Sequence, residues 1–395
     1  MITVNEAKAI IQKTIQPKII GKELEDCDGL VLAHDLHTPH DLPFFDNAAM
    51  DGYAIKYADI EDFSSIILSH LIIAAGSQLP LSIEKNQAFR IFTGARIPDG
   101  ADTVIEQELV EVDINNFKIS VDKEKIFSGK NVRLRGSELI EGGLLLPKGS
   151  KLTPAAIGLL SASGIHRLSV YKRPVVSLII TGSELTQPGE KLQYGHIFES
   201  NSFMLKAALE KDGIQDITIY RVDDNLSDIV DAINDAKETA DFIILTGGVS
   251  VGDYDFVKVA SATCGFKEQF YKIKQKPGKP LYFSTSNNQY LFGLPGNPGS
   301  ALTCYYIYVQ QALSIFYQKA LSRSISTIFN GNFSKKAELT QFLKGKFDGN
   351  SVMDLAAHES YKLMSFAVAN CLIEVDENLE ELKIGDPVKI HLIPN

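Results

Sequence analysis

The sequence lacks any apolar run long enough to cross a membrane, because no uninterrupted stretch approaches the roughly 18 residues that a spanning helix needs. It also has few cysteines, and these are scattered without a CxxC pair: Cys27, Cys264, Cys304 and Cys371. This spacing gives no support for a zinc or iron–sulfur site and indicates reduced, mostly buried thiols. The N-terminal segment MITVNEAKAIIQKTI indicates an amphipathic helix and not a signal peptide, so we expect a cytoplasmic protein with no membrane partner.

Positive charge is also scarce, because 39 lysines and arginines face 49 aspartates and glutamates and the formal net charge is −10. This balance argues against nucleic acid as a partner, whereas an anionic small molecule is compatible with it where cations are concentrated locally. The length of 395 residues and the apolar content of 45% predict several globular domains with substantial cores.

The pattern of apolar residues changes several times along the chain. Residues 1–44 have helical and then extended character, and residues 139–173 are again mixed. Residues 45–138 consist of short β-like runs separated by turn residues, which predicts a small β-rich unit. Strand and helix patterns alternate over 174–318, which predicts an α/β domain whose mostly parallel sheet is covered on both faces. Residues 319–395 return to strand patterns and predict a C-terminal β domain.

The most informative segment is the glycine-rich turn TGGVSVGDYD at 246–255, which follows a short apolar run. Its glycines Gly247, Gly248 and Gly252 allow the backbone to approach a ligand without a Cβ clash. Exposed amides in such a turn can face an anion, while Asp253 and Asp255 could hold a cation beside it. A structural glycine loop is the alternative interpretation.

Three further polar turns follow predicted strands: TGSEL at 181–185, RVDD at 221–224 and LPGNPGS at 294–300. In an open α/β sheet these turns lie on one edge together with the glycine-rich turn, which favours a ligand site there. Asp224 or Asn225 could instead cap the helix that follows. Just before the last turn, KIKQKPGKP places Lys272, Lys274, Lys276 and Lys279 close together, which indicates either an oxyanion subsite or a solvated loop.

The β-rich segment also contains polar candidates. Asp51 lies in FDNAAMDGY and Thr93 in FTGARIPDG, and a hairpin turn would explain the first motif equally well. Arg133 and Arg135 in RLRGSE could grip an oxyanion through two hydrogen bonds each, or form surface ion pairs. The histidines of HDLHTPH lie in an extended setting that does not align them as metal ligands.

Together these motifs resemble those of one enzyme family. FDNAAMDGYAI, FTGARIPDGADTVIEQE, VRLRGSEL, TGSEL, IFESNS, TGGVSVGDYDFVK, KPGKP and FGLPGNPGSAL occur in the order found in molybdopterin molybdenumtransferases, the MoeA family, whose relatives include the E-domain of gephyrin. The resemblance runs from about residue 4 to the C-terminus.

The resemblance implies an enzyme of molybdenum cofactor biosynthesis. Such an enzyme inserts molybdenum from molybdate into adenylylated molybdopterin, assisted by Mg²⁺, and releases AMP. The family also implies an elongated homodimer with its cleft between subunits, and contact with the adenylyltransferase that supplies the pterin. Its four domains imply a discontinuous N-terminal domain (1–44 and 139–173), a β-rich insertion (45–138), a molybdopterin-binding-like α/β domain (174–318) and a C-terminal β domain (319–395).

The resemblance also implies roles for individual residues. The implied catalytic positions are Asp51, Thr93, Arg133, Glu184, Asp223, Asp255, Lys272, Lys276 and Lys279. Of these, Glu184, Asp223 and Asp255 would hold Mg²⁺. The pterin-binding positions would be Asn201, Gly247, Gly248, Ser250, Gly252, Asp253, Pro295, Gly296, Asn297 and Ser300. Molybdate would be bound by Lys276, Lys279, Lys344 and Ser365.

This chain departs from the family pattern at several of these motifs. Lys344 stands where an arginine is common, and lysine keeps the charge but not the two-pronged donor geometry. Gly299 replaces a frequent valine, a change expected to affect packing only. Two other functions stay open: a non-catalytic pterin-binding scaffold, and the adenylyltransferase that acts one step earlier. The latter usually has GGTG where this chain has Gly247-Gly248-Val249-Ser250.

Overall fold

The computed structural model describes residues 1–61, 66–78, 81–248, 256–321, 323–356 and 359–393. The chain divides into two compact units, a smaller one of Lys22–Leu168 and a larger one of Met1–Gly21 with Ser169–Asn395. Across the described ranges, no helix combines the length and the apolar character that a bilayer span requires.

The first two helices are bounded as their end signals predict. Helix α1 is Val4–Thr14, and Thr3 and Glu6 form a reciprocal capping box at its start. Helix α2 is Pro154–Ala162, with Thr153 as its N-cap and proline at its first position. Gly164 follows with φ of +74°, a left-handed conformation that ends the helix. The amphipathic N-terminal helix predicted from the sequence is confirmed.

The N-terminal half of the chain is rich in short strands. Their bounds are β1 (Ile19–Glu23), β2 (Leu36–His37), β3 (Asn47–Ala48), β4 (Gly52–Ile55), β5 (Ile66–Ile73), β6 (Gln87–Ile91), β7 (Thr103–Glu106), β8 (Val110–Asp113), β9 (Lys118–Val121), β10 (Val132–Arg133), β11 (Leu144–Leu146) and β12 (Arg167–Tyr171). Six of these strands form one sheet in the order β7-β4-β6-β5-β9-β8, and the other six form two-stranded sheets. Gly52 is required there, because a Cβ would lie 1.9 Å from the Ile105 carbonyl oxygen. The structure thus confirms that the segment predicted at 45–138 is rich in strands.

The next part of the chain alternates strands and helices. The strands are β13 (Val176–Thr181), β14 (Leu185–Thr186), β15 (Ile197–Phe198), β16 (Ile217–Val222), β17 (Phe242–Thr246), β18 (Lys267–Tyr271), β19 (Gln275–Lys276), β20 (Tyr282–Ser286) and β21 (Gln289–Leu294). The helices are α3 (Asn201–Lys211), α4 (Leu226–Lys237), α5 (Phe256–Thr263), α6 (Pro298–Cys304) and α7 (Gln310–Tyr317), with a π-helical turn at Tyr305–Val309.

The central sheet of the larger unit has the order β16-β13-β17-β21-β20-β18 among the described strands. Strands β16, β13, β17 and β21 run parallel, whereas β20 is antiparallel to both of its neighbours. The mostly parallel sheet is confirmed. Strands β18 and β20 were not predicted from the sequence, because each has three consecutive polar residues and so lacks the continuous apolar run of the central strands. Tyr305, Tyr308 and Phe316 are buried in the core.

The C-terminal segment forms a second sheet of the larger unit. Its elements are β22 (Arg323–Phe329), β23 (Phe333–Ser334), β24 (Thr340–Phe347), β25 (Ser351–Asp354), α8 (Met364–Val368), β26 (Cys371–Val375), β27 (Glu381–Leu382) and β28 (Pro387–Leu392). The order β24-β25-β22-β28-β26 closes on itself because β24 also pairs with β26. Strand β19 ends at Lys276, the first residue of the KPGKP turn, and pairs in parallel with β24. This pairing attaches the turn to the C-terminal sheet. The predicted C-terminal strands are confirmed.

Candidate active site

The four polar turns predicted to share one edge of the central sheet do so. Strands β16, β13, β17 and β21 are adjacent and parallel, so their carboxyl ends meet at the same edge. The turns TGSEL, RVDD, TGG and LPGNPGS begin at these ends. This is the edge at which open α/β sheets bind ligands.

The start of the glycine-rich turn is tightly packed against strand β13. Gly247 and Gly248 have φ of +92° and +60°. A Cβ on Gly247 would lie 2.4 Å from the Thr181 carbonyl oxygen, so only glycine fits this close approach. The rest of the turn, including Ser250, Gly252, Asp253 and Asp255, lies outside the described residues, and the roles implied for these four stay predictions.

Asp224 lies beneath this turn. Asn225, not Asp224, caps helix α4 by accepting a hydrogen bond from the Asp228 backbone amide. The half-buried Asp224 carboxylate instead packs against Gly248. A Cβ on Gly248 would lie 3.4 Å from the Asp224 Oδ1 atom. Burial raises the pKa of Asp224, and the nearby charge of Glu184 raises it further. The Thr181 hydroxyl lies near enough to lower the pKa in part, but it does not form a hydrogen bond with the Asp224 Oδ1 atom.

Other polar groups at this edge are buried without a described partner. The Thr246 hydroxyl and the Asn201 Oδ1 atom have no hydrogen-bond partner among the residues that the structure describes. The Asn201 amide nitrogen donates to the Gly296 carbonyl oxygen at 2.9 Å, which ties helix α3 to the LPGNPGS turn. Buried polar atoms of this kind are costly unless something pairs with them.

A polar pocket of about 340 Å³ opens beside the ends of β13 and β16. Its lining includes Gly182, Gln187, Glu199, Arg221, Asp223 and Asp228. Arg221 donates to the Ser202 hydroxyl at 3.2 Å, and Ser202 in turn donates to the buried Glu199 carboxylate. Three carboxylates against one arginine make this pocket acidic, and we refer to it as the acidic pocket.

A larger cleft of about 810 Å³ opens at the end of β21, between the α/β core and the C-terminal sheet of the larger unit. It is lined by Gln275, Lys276, Pro277, Gly278, Lys279, Pro280, Pro295, Asn297, Ser300, Leu339, Ala356, Glu359, Ser360 and Tyr361. Lys276 and Lys279 are exposed at its wall, whereas Ser300 is buried in the first turn of α6. We refer to this cavity as the basic cleft.

A buried amide holds the lysine-bearing turn in place. The Gln275 side chain donates to the carbonyl oxygens of Pro277 and Gly278 at 3.0 and 3.1 Å, and the Tyr308 hydroxyl donates to its Oε1 atom. Gly278 has φ of +84°, and a Cβ there would lie 2.5 Å from the Cys304 sulfur. The turn is therefore pre-organised from behind by residues that carry no charge. Gln275 was not predicted from the sequence, because an amide within a run of lysines gives no separate signal.

Two residues predicted to bind molybdate lie behind the opposite wall of the basic cleft. The Lys344 side chain is nearly fully buried, and its ammonium donates to the carbonyl oxygens of Glu359 and Lys362 at 3.2 and 2.7 Å. The Ser365 hydroxyl donates to the same Lys362 carbonyl at 3.3 Å. Burial lowers the pKa of Lys344, an effect that the Glu359 charge opposes.

The smaller unit contains its own polar cluster. The Asp51 carboxylate accepts hydrogen bonds from the Thr93 hydroxyl at 2.6 Å and the Thr93 amide at 2.8 Å, and these bonds lower the pKa of Asp51. The Arg90 guanidinium lies over the rings of Tyr53 and Phe92. Asp51 and Thr93, predicted separately from two motifs, are therefore in direct contact.

The arginines of the RLRGSE motif differ from each other. Arg135 forms an ion pair with Asp41, so the surface ion pair is the right interpretation for this residue. Arg133 is exposed at the end of strand β10, and no carboxylate among the described residues pairs with it. Lys272 lies 4.6 Å from the centre of the Tyr271 ring and is not among the residues that line the basic cleft.

Comparison with known proteins shows the same family along the whole chain. The family profile "MoeA N-terminal region (domain I and II)" matches residues 2–164, "Probable molybdopterin binding domain" matches 177–314, and "MoeA C-terminal region (domain IV)" matches 328–393. The molybdopterin molybdenumtransferase of Haemophilus influenzae is 32% identical over 400 residues, covering 99% of this chain and 98% of the relative. That of Staphylococcus epidermidis is 32% identical over 405 residues, covering 99% and 95%.

Solved structures agree with these matches. A molybdopterin biosynthesis MoeA protein from Pyrococcus horikosii has a TM-score of 0.83 and 27% identity, and the comparison covers 100% of both chains. A second structure, from Pyrococcus horikoshii OT3, has a TM-score of 0.73 and 28% identity over 99% of this chain and 100% of that one. The chain therefore belongs to the MoeA family of molybdopterin molybdenumtransferases, enzymes of molybdenum cofactor biosynthesis.

Proposed function

We propose that this chain inserts molybdenum from molybdate into adenylylated molybdopterin and releases AMP. The observation that carries this proposal is the basic cleft, where Lys276, Lys279 and Ser300 line one cavity at the same sheet edge as the acidic groups. A substrate with both oxyanions and a metal-bound phosphoanhydride needs cations and carboxylates within one extended site.

Molybdate is the oxyanion that we assign to the basic cleft. The ammonium groups of Lys276 and Lys279 supply positive charge in a chain whose net charge is −10. Ser300, in the first turn of helix α6, adds a hydroxyl to the lining of the cleft. Because Gln275 fixes the lysine turn before the ligand arrives, little reorganisation accompanies binding.

Magnesium fits the acidic groups of this edge. Burial is the main cause of the raised pKa of Asp224 and the negative charge of Glu184 adds to it, whereas no described lysine or arginine is among the causes. Mg²⁺ is commonly held by one or two carboxylates together with substrate phosphates, and bound here it would neutralise the phosphoanhydride. Asp224 and Glu184 would hold the ion, with Asp223 and Asp255 as the further ligands implied by the resemblance.

The residues of this chain contribute by positioning and by charge. Water attacks the phosphorus of the adenylyl group, the phosphoanhydride P–O bond to the pterin phosphate breaks, and AMP departs with the water oxygen. The two dithiolene thiols then bind the molybdenum, and their protons leave with one molybdate oxygen as water. If a molybdate oxygen attacks instead, AMP carries that oxygen away once its Mo–O bond breaks, and the thiol protons are released to solvent. The amides of Gly247 and Gly248 contact the phosphates, and Lys276 and Lys279 stabilise the negative charge of molybdate. The chain needs no covalent nucleophile for these steps.

Further parts of the proposal concern assembly and location. We assign Asp51, Thr93 and Arg133 of the smaller unit to substrate contact, because Arg133 is an exposed guanidinium suited to bind phosphate in two-pronged fashion. We also assign the chain to a cytoplasmic homodimer that receives its pterin from the adenylyltransferase.

The test is molybdate-dependent AMP release from adenylylated molybdopterin, with and without Mg²⁺. We expect AMP only when both ions are present. Pterin binding without AMP release would instead indicate a scaffold, and ATP consumption with metal-free pterin would indicate the adenylyltransferase.

A further inference from the structure

Lys344 and the loop 359–362 form an arrangement that the proposed chemistry does not itself explain. Lys344 lies on strand β24 and is only 3% exposed, yet its ammonium is hydrogen-bonded to two backbone carbonyls of this loop. The loop contributes Glu359, Ser360 and Tyr361 to the wall of the basic cleft. We refer to residues 359–362 as the wall loop.

The ammonium of Lys344 donates hydrogen bonds to protein groups. Two of its three N–H donors meet the carbonyl oxygens of Glu359 and Lys362. The group also lies 5.3 Å from the centre of the Phe366 ring, within range of a cation–π contact. A buried cation is costly unless it is well paired, and carbonyl and aromatic partners provide that pairing here.

The wall loop is held from a second side by the turn that precedes helix α6. The Asn297 amide donates to the Ser360 hydroxyl at 3.1 Å. Gly299 allows the loop to approach this closely, because a Cβ on Gly299 would lie 2.5 Å from the Ser360 carbonyl oxygen. The same Cβ would be 3.8 Å from the Lys344 ammonium, which is ordinary contact. A side chain at 299 therefore displaces the loop without itself clashing with the lysine.

From this geometry we propose that Lys344 is a positioning residue: it holds the wall loop against Gly299 and so shapes the basic cleft, without contacting the oxyanion. The inference rests on the proposed function in so far as the cleft binds molybdate. Ser365 contributes to the same task, because its hydroxyl donates to the Lys362 carbonyl that Lys344 also binds.

A double-mutant cycle with Lys344→Met and Gly299→Ala tests this role. Methionine removes the charge and the donors at similar length, while alanine displaces the wall loop and leaves Lys344 in place. If both act through the loop, each single variant weakens molybdate binding on the order of tenfold, and the double variant is no worse than the singles. Additive losses, on the order of a hundredfold in the double variant, would show that Lys344 binds the anion independently and would overturn the proposal.

Hydrogen exchange of the wall loop gives a readout that does not depend on molybdate. We expect both single variants to exchange faster at 359–362. Unchanged exchange in Lys344→Met would show that its two hydrogen bonds do not hold the wall loop, and would overturn the proposal. Gly158→Ala is the matched control, since this helical glycine has open space around its Cβ position. If Lys344→Met does not fold, Lys344→Arg replaces it in the cycle, because arginine keeps the charge and alters the donor geometry.

The same experiment separates failure of this inference from failure of the proposed function. A wild-type chain that binds no molybdate would contradict the proposed function, while the exchange measurements would still decide whether Lys344 holds the wall loop.

Discussion

The acidic pocket and the basic cleft lie along one edge of the same sheet, yet their charges are arranged in opposite ways. The acidic pocket has three carboxylates against Arg221, and beside it burial raises the pKa of Asp224, with the charge of Glu184 adding to this effect. In the basic cleft, Lys276 and Lys279 are exposed on a turn that uncharged groups hold in place.

This difference shows how two cavities along one sheet edge can bind groups of opposite charge. Carboxylates that are not neutralised by the protein attract a cation, and exposed ammonium groups attract an oxyanion. Each cavity on its own would fit many ligands. Their adjacency favours a ligand that carries a metal-bound phosphate at one end and meets an oxyanion at the other.

The largest expected effect comes from removing the positive charge of the basic cleft. Lys276→Ala combined with Lys279→Ala should lower molybdate-dependent AMP release by about a hundredfold or more, because preorganised charges in a cleft stabilise an anion strongly. Steady-state assays at varied molybdate would measure the loss. Lys267→Ala is the control, since this exposed lysine begins strand β18 and is not among the residues lining the cleft. Wild-type rates in the double variant would remove the basis for placing molybdate there.

A second prediction concerns the acidic side of the edge and compares two adjacent residues. Asp224→Asn removes a half-buried charge beneath the glycine-rich turn, and we expect it to raise the Mg²⁺ concentration needed for half-maximal activity by about tenfold. Asp223→Asn is the matched comparison, because Asp223 is exposed. If Asp223→Asn has the larger effect, the assignment implied by the family resemblance is right and the geometric one is wrong.

These two residues also show where sequence-based prediction ends. The RVDD turn and its position at a strand end follow from local patterns, and the structure confirms them. Which of the two aspartates turns inward depends on the helix cap, and Asn225 takes that position. Only the packing of Gly248 against Asp224 distinguishes them, and such packing between distant segments has no local signature.

The basic cleft teaches a similar lesson. Charge density alone identified Lys276 and Lys279, because four lysines in one short segment stand out in an acidic chain. Gln275 and the loop contacts of Lys344 could not be found in this way, since their partners lie far away in the sequence. The polar turns were predictable, but the buried groups that hold them were not.

A third prediction tests whether that buried support matters. Gln275→Met removes the donors to Pro277 and Gly278, which leaves the Pro277 carbonyl unsatisfied and the Gly278 carbonyl with only the weak Cys304 thiol donor, and this should cost about 1–3 kcal/mol of stability. We expect KM for molybdate to rise a few-fold, on the order of three- to tenfold, with the lysines still present. Thermal unfolding and kinetics would measure both. Tyr308→Phe, which removes the hydrogen bond to Gln275 but leaves its amide donors, should have the same direction and a smaller size.

The smallest effect on activity is expected at Glu374, a partly buried carboxylate whose charge is balanced by neighbouring basic residues. Burial would raise its pKa, but the hydrogen bond from His391 and the charges of Lys8 and Lys389 outweigh burial and hold the pKa at about 2. Because the folded pKa is below the usual value of 4.5, this carboxylate contributes stability that is complete above about pH 4.5 and lost as the pH falls towards 2. The contribution is on the order of 3 kcal/mol.

Glu374→Gln should therefore flatten the pH dependence of the free energy of unfolding below about pH 4.5, measured by denaturant titration across that range. At neutral pH it should lower stability while leaving the Mg²⁺ and molybdate requirements unchanged. Asp224→Asn should raise the Mg²⁺ requirement and leave the free energy of unfolding at neutral pH unchanged. No cation is among the causes that shift the pKa of Asp224, so removing its charge breaks no stabilising ion pair. If Glu374→Gln changed the Mg²⁺ requirement as much as Asp224→Asn does, the effect of Asp224→Asn could not be attributed to loss of a metal ligand. The assignment of Mg²⁺ to the acidic side of the sheet edge would then be wrong.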